Sequence, residues 1–382
     1  MSVGRRRSFG HPGVLRRDTH GAVLVRASDQ LQGSDLGDVS GAVPLPQGSP
    51  GSASAEQVGI TDPGQELSFF LIGDHGGVET PTPQLAVAHA MEQQLAASAP
   101  AFVYSVGDWV YFGGDVGGWD TQVYEPYENV DVPFVGIAGN HDDARGGDPP
   151  LPGLQERPPL DQFMANMCTS SPQIPDADPQ FEYGRHTECL PYCDWTLPLQ
   201  AITIIGVWSN VPSGGVLQES QLQFLTAQIE AAPTDRPLAV ALHHPPYSID
   251  SHHGGSPRMG NALDGVFTSA GRCPELVLTG HVHDFQVFKR TLAGSWGDAT
   301  ITYVVIGNSG YHNLHPIASD YNPGMEVADG VICEYADASQ YGYLSMSIAG
   351  GNVQGEYVGV TPGVMADGSD AEVTPNKFAL NA

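Results

Sequence analysis

The sequence contains few basic residues. Its 382 residues include 15 Lys and Arg against 43 Asp and Glu, so the formal net charge at pH 7 is −28. Proteins that bind nucleic acid without sequence specificity need a basic surface, and this composition argues against such a partner. The same charge repels a phosphate ester at long range, so a site for one would need strong local positive charge, such as bound metal cations.

Long apolar segments are also missing. No run of residues approaches the roughly 18 apolar positions that a membrane-spanning helix requires, so we expect no integral membrane segment. The N-terminal arginines, among them Arg5 and Arg16, are not followed by the about 7–15 apolar residues of a secretory signal. We therefore expect no cleaved export signal and, by default, a cytoplasmic location.

Cysteine is scarce as well. The chain has 5 cysteines, an odd number, so at least one thiol has no partner within the chain. Cys189 and Cys193 lie near His186 in the sequence, but this set lacks a clear fourth ligand for a zinc ion. A disulfide, including one that involves Cys168, and free buried thiols are the alternatives.

Composition divides the chain into three parts. Residues 1–62 are rich in Gly, Ser, Pro and Asp and lack periodicity, which predicts a flexible tail. We expect this tail to be dispensable for activity. Residues 63–362 contain the regular segments and are long enough to bury a sizeable core, which predicts one large domain. Residues 363–382 are polar and predict a second, loose tail.

Apolar runs of strand length are interspersed with segments of helical spacing in the predicted domain, which places it in the α/β class. Helices are expected at 83–97 and 218–231. The last two strands flank a Gly-Gly-Asn sequence and predict a hairpin. The expected strands are 67–72, 102–106, 133–138, 202–207, 238–242, 276–279, 301–306, 343–348 and 353–360.

Five of these strands end in loops that contain Asp, Asn or His. In chain order the loops include the sequences GDHG, GDWVY, GNHD, VALHH and GHVH. Ligands bind outside the carboxyl ends of the strands in open α/β sheets, so the five loops could converge on one site. Each loop alone is a weak signal, because Gly-Asp pairs recur in this acidic, glycine-rich chain. The ordered set is the informative feature.

This ordered set resembles the signature of purple acid phosphatases, which are calcineurin-like metallophosphoesterases. Their signature reads GDxG, GDxxY, GNH(D/E), VxxH and GHxH, and every specified position matches over about residues 67–290. The resemblance implies a four-layer α-β-β-α sandwich in one catalytic domain. It also implies a dinuclear-metal hydrolase of phosphate esters, most closely an acid phosphomonoesterase, that uses a metal-bound hydroxide.

The resemblance further implies two metal ions, Fe(III) and a divalent ion that would be Fe, Zn or Mn. Carboxylate, phenolate and amide oxygens are hard ligands, and imidazole suits the same metals. Two cations that share one carboxylate would form a clamp for in-line displacement at phosphorus. The implied ligands are Asp74, Tyr111 and His283 for the first ion, Asn140, His243 and His281 for the second, and Asp108 between them.

Gly76 limits the choice of subfamily within the calcineurin-like enzymes that the chain resembles. Most calcineurin-like enzymes place a histidine ligand two residues after the first Asp, and this chain has Gly76 there, with His75 one residue too early. Tyr111 could fill the vacancy, since phenolate is a strong ligand for Fe(III). The alternative for Tyr111 is a packed aromatic residue beside Trp109.

Other polar residues resemble the family's substrate-side groups. His141 resembles a histidine that contacts the phosphate or protonates the leaving group, and Asp142 could orient it. His252 and His253 resemble a substrate loop, although either could be the matching residue or a solvated histidine. His312 follows a strand end, as does His315 nearby, and could line the cleft.

Two other functions are compatible with the sequence. The same site with two Mn(II) ions could serve a phosphodiesterase or nucleotide phosphatase, because the motifs do not distinguish the classes of ester. A non-catalytic scaffold is the second alternative, although a scaffold would be expected to lose ligands. The expected partner is a small-molecule phosphate ester, and the oligomeric state is not determined.

Overall fold

The structure, a computed structural model, describes residues 42–146, 157–169, 189–210 and 214–382, apart from the side chain of Asn376. Their strands form two sheets. The helices are α1 (Thr82–Ser98), α2 (Asp161–Met167), α3 (Glu219–Ala231) and α4 (Pro257–Ala270). Among the described residues, no helix has the length and apolar character that crossing a bilayer demands.

The larger sheet is mixed, with a parallel centre. In spatial order, its described strands are β1 (Gly51–Ser52), β5 (Trp195–Pro198), β6 (Thr203–Gly206), β7 (Leu238–Ala241), β8 (Leu276–Thr279), β10 (Gly297–Ile306), β9 (Phe285–Gly294), β12 (Val331–Asp337) and β11 (Met325–Ala328). Strands β6, β7, β8 and β10 run parallel.

The smaller sheet also contains parallel neighbours. Its described strands are, in spatial order, β15 (Glu372–Asn381), β14 (Asn352–Thr361), β13 (Tyr341–Ala349), β2 (Glu66–Ile72), β3 (Val103–Ser105) and β4 (Phe134–Gly136). Strands β2, β3 and β4 are parallel, whereas β13 and β14 form the predicted antiparallel hairpin.

Side chains alternate between two apolar layers. On β6, Ile204 packs between the sheets, whereas Ile205 packs with residues of α3 and α4 on the outer face. On the smaller sheet, Tyr357 stacks on Phe285 of β9 at 4.0 Å, while Tyr343 on the opposite face donates a hydrogen bond to a carbonyl of α1. The layer order of helix, sheet, sheet and helix is consistent with the predicted four-layer sandwich, and the predicted α/β class is confirmed.

The C-terminal segment is ordered where the sequence predicted a loose tail. Strand β15 pairs antiparallel with β14 and extends the smaller sheet, so the prediction for residues 363–382 is wrong over this strand. Phe378 and Leu380 pack against the core. An edge strand buries only some of its side chains, and Pro375 is tolerated there, so the polar composition concealed a strand.

Residues 42–62 are also part of the folded domain, contrary to the predicted flexible tail. Val43, Val58 and Ile60 are buried in the main core. Strand β1 pairs with β5, and the backbone N–H and carbonyl of Val43 bond the side chain of Asn210 at 3.0 and 2.8 Å. The rest of the predicted tail, residues 1–41, lies outside the described residues. Its predicted dispensability therefore stays a prediction for that part alone.

We expect that a chain beginning at residue 63 is clearly less stable than one beginning at residue 42. Full burial of a Val or Ile side chain contributes about 1.5–3 kcal/mol, and the shorter chain loses several such residues. Its melting temperature should fall by roughly 5 °C or more. Calorimetry of both chains tests this expectation. Equal melting temperatures would show that residues 42–62 contribute no net stability.

The five cysteines are unpaired in the structure: Cys168, Cys189, Cys193, Cys273 and Cys333. Burial raises the pKa of the Cys193 thiol well above its usual value. A buried thiol of high pKa is poorly suited to bind zinc as a thiolate. His186, the third residue of the alternative zinc set, lies outside the described residues.

Candidate active site

Polar side chains from both sheets meet where the parallel strands end. Asp74 and Asp108 follow β2 and β3 of the smaller sheet, and His243 and His281 follow β7 and β8 of the larger one. Asp74, Asp108 and His243 each offer a ligand atom within 4.8 Å of the other two. The predicted convergence of the loops on one place is therefore present in the fold.

Tyr111 and His283 complete one side of this cluster around Asp74. The Tyr111 hydroxyl lies 3.2 Å from Asp74 Oδ1 and 3.3 Å from His283 Nε2. His283 Nε2 in turn lies 3.4 Å from Asp74 Oδ1. An oxygen or nitrogen of each predicted ligand of the first ion thus faces the same small region.

Asn140, His243 and His281 lie on the other side. His243 Nε2 is 3.3 Å from Asp108 Oδ2, and His281 Nδ1 is 3.0 Å from Asn140 Oδ1. Nδ1 of His243 lies 2.8 Å from the carbonyl oxygen of Val106. A hydrogen bond from Nδ1 to a carbonyl leaves Nε2 as the atom with a lone pair, the usual arrangement of a metal-binding histidine.

Two buried atoms at the centre test whether a metal fits. Asp108 Oδ2 and His243 Nε2 are buried and have no hydrogen-bond partner among the described residues. Buried polar atoms nearly always make a hydrogen bond, whereas these two approach one another at 3.3 Å and make none, which calls for an explanation. A shared cation provides one, and the oxygen and imidazole donors suit Fe, Zn or Mn. The residues present fit a dinuclear metal centre.

In the protein without metal ions, burial and neighbouring charges shift the pKa values of the clustered residues. Burial raises the pKa of Asp74 to about 8. Burial also raises the pKa of Asp108, but the nearby His243 and His141 lower it by more, and the net shift is downward. Burial lowers the pKa of His243, yet Asp108 and Asp74 bring it to about 9. A cation would displace the protons that this cluster shares.

Three of the clustered residues have left-handed backbone conformations, which are uncommon outside glycine. The φ angles of Asp74, Asp108 and His281 are 52°, 56° and 67°. Such conformations persist where surrounding structure enforces them, and they concentrate at functional sites. Gly139 shows how close the loops are, since a Cβ there would lie 2.1 Å from Asp108 Oδ1.

Asp142 shapes the Asp108 loop and does not orient His141. Its carboxylate accepts hydrogen bonds from four backbone N–H groups. The donors are Asp108 at 3.0 Å, Trp109 at 2.9 Å, Val110 at 3.1 Å and Gly139 at 2.7 Å. The predicted orienting role is therefore wrong. The prediction was based on the adjacency of His141 and Asp142 in the sequence, whereas in the fold the Asp142 side chain points towards the neighbouring Asp108 loop.

His141 is held by other contacts. Its backbone N–H donates to Asp108 Oδ1 at 2.8 Å, and its ring Nδ1 lies 3.2 Å from the carbonyl oxygen of Phe112. With Nδ1–H donating to that carbonyl, Nε2 is the ring nitrogen left for a substrate. The His141 ring lies 4.5 Å from the Tyr111 ring, so it borders the cluster.

Gly76 leaves no room for the usual histidine. A Cβ at this position would lie 2.7 Å from the carbonyl oxygen of Trp109 and 2.9 Å from the Tyr111 ring. The Tyr111 ring occupies the space, and its hydroxyl faces Asp74 and His283. Tyr111 is thus more than an aromatic residue packed beside Trp109. His75 lies in the core near Ser105, and burial lowers its pKa to about 3.

The predicted substrate histidines separate into two places. The His253 ring lies 4.4 Å from that of His281, and the His252 ring lies 4.7 Å from that of His253. His312 lies elsewhere, with Nε2 3.5 Å from a Glu79 carboxylate oxygen and its ring 4.6 Å from that of Tyr311. Their roles stay predictions.

Two further residues contact the cluster without having been predicted. The His244 ring lies 4.3 Å from that of His281, and its Nδ1 is 2.8 Å from Ser209 Oγ. Tyr311 stacks on Tyr111 at 4.1 Å, and its N–H donates to the backbone carbonyl of Asp74. The doubled histidine of the VALHH loop was the available signal for His244. For Tyr311, the signal was its position just after a strand.

Comparison with known proteins identifies the relatives of this fold. A family model described as calcineurin-like phosphoesterase matches residues 67–285. The chain is similar to a purple acid phosphatase, PPD1, from yellow lupin seeds, with a TM-score of 0.58, 14% identity, and coverage of 85% of this chain and 55% of that one. No curated protein sequence matches the chain.

Two other solved structures are similar. GAP50, the anchor in the inner membrane complex of Plasmodium, has a TM-score of 0.54, 13% identity, and coverage of 83% of this chain and 88% of that one. PhoD has a TM-score of 0.51, 11% identity, and coverage of 83% and 70%. At these identities the similarities show the fold alone.

Proposed function

Because the chain belongs to the calcineurin-like phosphoesterase family, we propose that it hydrolyses phosphate monoesters as an acid phosphatase with two metal ions. Membership of this family supports the metal-dependent hydrolysis of phosphate esters. The preference for monoesters goes beyond what family membership supports. One observation links the site to the purple acid phosphatases, whose signature the loops resemble. The Tyr111 hydroxyl stands between Asp74 and His283 at a site whose usual histidine position, Gly76, is sterically closed.

We propose Fe(III) for the ion on the tyrosine side and Fe, Zn or Mn in the divalent state for the other. Asp74, Tyr111 and His283 would hold the first ion, and Asn140, His243 and His281 the second. Asp108 would be shared. When bound, two such cations make water a usable nucleophile and stabilise charge on the phosphoryl oxygens.

The remaining steps belong to side chains of the chain. His141 would donate a proton from Nε2 to the oxygen of the leaving group, while its Nδ1–H bond to Phe112 keeps the ring in place. Asp142 fixes the loop that carries Asp108 through its bonds to backbone N–H groups. His253 borders the cluster beside His281 and would contact the ester.

The net charge of the protein bears on the source of the affinity for the substrate. The protein carries a net charge of −28, so a dianionic ester gains nothing from long-range attraction. The affinity would come from the cations and histidines at the cluster. We propose a small-molecule phosphate monoester as the substrate.

The activity can be tested with 4-nitrophenyl phosphate and its bis ester. We expect metal-loaded protein to hydrolyse the monoester with a kcat/KM at least about tenfold higher than that for the bis ester. This ratio corresponds to a difference of about 1.4 kcal/mol in the activation barrier. Chelation should abolish both activities, and added metal should restore them. Asp108→Asn, which removes the shared charge, is the matched background control.

The alternatives give other results in the same assay. Preferential cleavage of the bis ester with Mn(II) would support the phosphodiesterase instead. Failure of metal-replete protein to cleave either ester above the Asp108→Asn background would support a non-catalytic scaffold.

A further inference from the structure

A second histidine cluster lies beside the proposed dinuclear centre. His252, His253 and His315 each offer a ring nitrogen within 4.8 Å of the other two. The ring centroids lie 4.7 Å apart for His252 and His315, and 4.8 Å apart for His253 and His315. None of the three belongs to the predicted ligands of the two metal ions.

One buried carboxylate organises all three histidines. The Asp250 side chain is fully buried and lies 3.4 Å from Nδ1 of His315. Its two oxygens also accept the backbone N–H groups of His252 at 3.0 Å and His253 at 2.7 Å. The backbone N–H of His283 donates a hydrogen bond to His315 Nδ1 at the same distance of 3.4 Å.

The two loops that carry the cluster are joined by backbone hydrogen bonds. Asp250 forms an antiparallel bridge with Ile317. The N–H of Ser251 donates to the carbonyl of Pro316 at 3.0 Å, and that of Ala318 to the carbonyl of Ile249 at 2.8 Å. The three imidazoles are therefore placed together by the fold itself, which reduces the entropy lost when a ligand binds.

We propose that His252, His253 and His315 bind a third metal ion, a divalent transition cation of the zinc class. Three imidazoles form a neutral set suited to zinc and its neighbours. Zinc sites with three protein ligands keep a fourth position open for water or substrate. Asp250 holds the backbone of His252 and His253 and lies beside His315, so it would fix the positions of the three ligands, and its negative charge would favour a bound cation.

The geometry requires modest adjustment. Zn–N bonds of about 2.0–2.1 Å in a tetrahedron place the nitrogens roughly 3.4 Å from one another. His252 and His253 are exposed, whereas His315 is buried, so the adjustment would fall on the two exposed rings. The ion would lie close to the His281 side of the cleft, because the His253 ring lies 4.4 Å from that of His281.

Zinc stoichiometry of the full chain tests the proposal. We expect zinc-saturated protein, dialysed and analysed for metal by mass spectrometry, to hold about one equivalent more than the His252→Gln and His315→Gln variants. His312→Gln, which removes a histidine that lies apart from the cluster beside Glu79, should keep the full complement. Cobalt(II) titration should show the intense visible bands of a tetrahedral site, and His252→Gln should lose them in part.

His252→Gln is the decisive variant. The His315 ring stacks on that of His283 at 4.3 Å, so its loss could disturb the dinuclear centre as well. The His252 ring packs on His253 and His315, neither of which is a predicted ligand of that centre. A parent protein that saturates with no ion beyond the dinuclear pair would overturn the proposal. So would unchanged zinc content in folded His252→Gln protein.

Discussion

His141→Ala should lower the rate of monoester hydrolysis by about 10²–10⁴, the range expected when a general acid or base is removed. His141 borders the metal cluster through its contact with the Tyr111 ring, yet its ring nitrogen bonds the Phe112 carbonyl and no predicted metal ligand. Its loss should therefore leave the metal content unchanged. Steady-state kinetics with metal analysis of the same samples measures both quantities.

The dependence on leaving group separates proton donation from positioning. A general acid matters most when the leaving alcohol is a strong base, so His141→Ala should cost more with an alkyl phosphate than with 4-nitrophenyl phosphate. His141→Asn can keep a hydrogen bond to the Phe112 carbonyl and should be as slow as His141→Ala. His89→Ala, on the outer face of α1, is the matched control. Loss of a metal equivalent in His141→Ala would instead make His141 a metal ligand.

The centre of the fold was predictable because its strands are buried on both faces. Strands such as β7 and β8 are largely apolar, and the histidine that stands two positions after each one is conspicuous. Parallel pairing places the carboxyl ends of the strands at one edge of each sheet, which is why Asp74, Asp108 and His243 could be expected together. The cluster of candidate ligands could be predicted from the positions where the apolar runs end.

The periphery was not predictable by the same means. Strands β1 and β15 lie at the sheet edges and carry Gly, Ser, Pro and polar residues. Half of the side chains of an edge strand face solvent, so the apolar signal is weak. Helix α4 contains glycines and small residues, and its start at the Ser256 cap became clear only in the fold.

Some side chains act on a loop that is distant in the sequence, and their roles depend on the tertiary structure. Asp142 follows His141 in the sequence, but its carboxylate serves the loop of Asp108, which is more than thirty residues away. Asp250 similarly organises His315 across two loops. Sequence spacing contains no information on such pairs, whereas the strand ends that bring the loops together are encoded locally.

Tyr111→Phe should remove the visible absorption of the iron-loaded protein entirely, while the fold is kept. A phenolate bound to Fe(III) produces a charge-transfer band, which makes such proteins pink or purple. In the protein without metal ions, burial raises the pKa of Tyr111 well above its usual value. The negative charges of Asp108 and Asp74 raise this pKa further. The phenol therefore stays protonated until a cation replaces its proton, so iron-free protein should be colourless at neutral pH.

Tyr311→Phe is the matched control for this change. Tyr311 stacks on Tyr111 with ring centroids 4.1 Å apart, so both variants lose one hydroxyl from the same aromatic pair. Iron-loaded Tyr311→Phe should keep the band, and iron-loaded Tyr111→Phe should lack it at equal iron content. A band lost in Tyr311→Phe alone would transfer the phenolate to Tyr311. Parent protein that holds Fe(III) without colour would remove the tyrosine from the metal site and favour two Mn(II) ions, because the hydroxyl between Asp74 and His283 would then be only a hydrogen-bond donor.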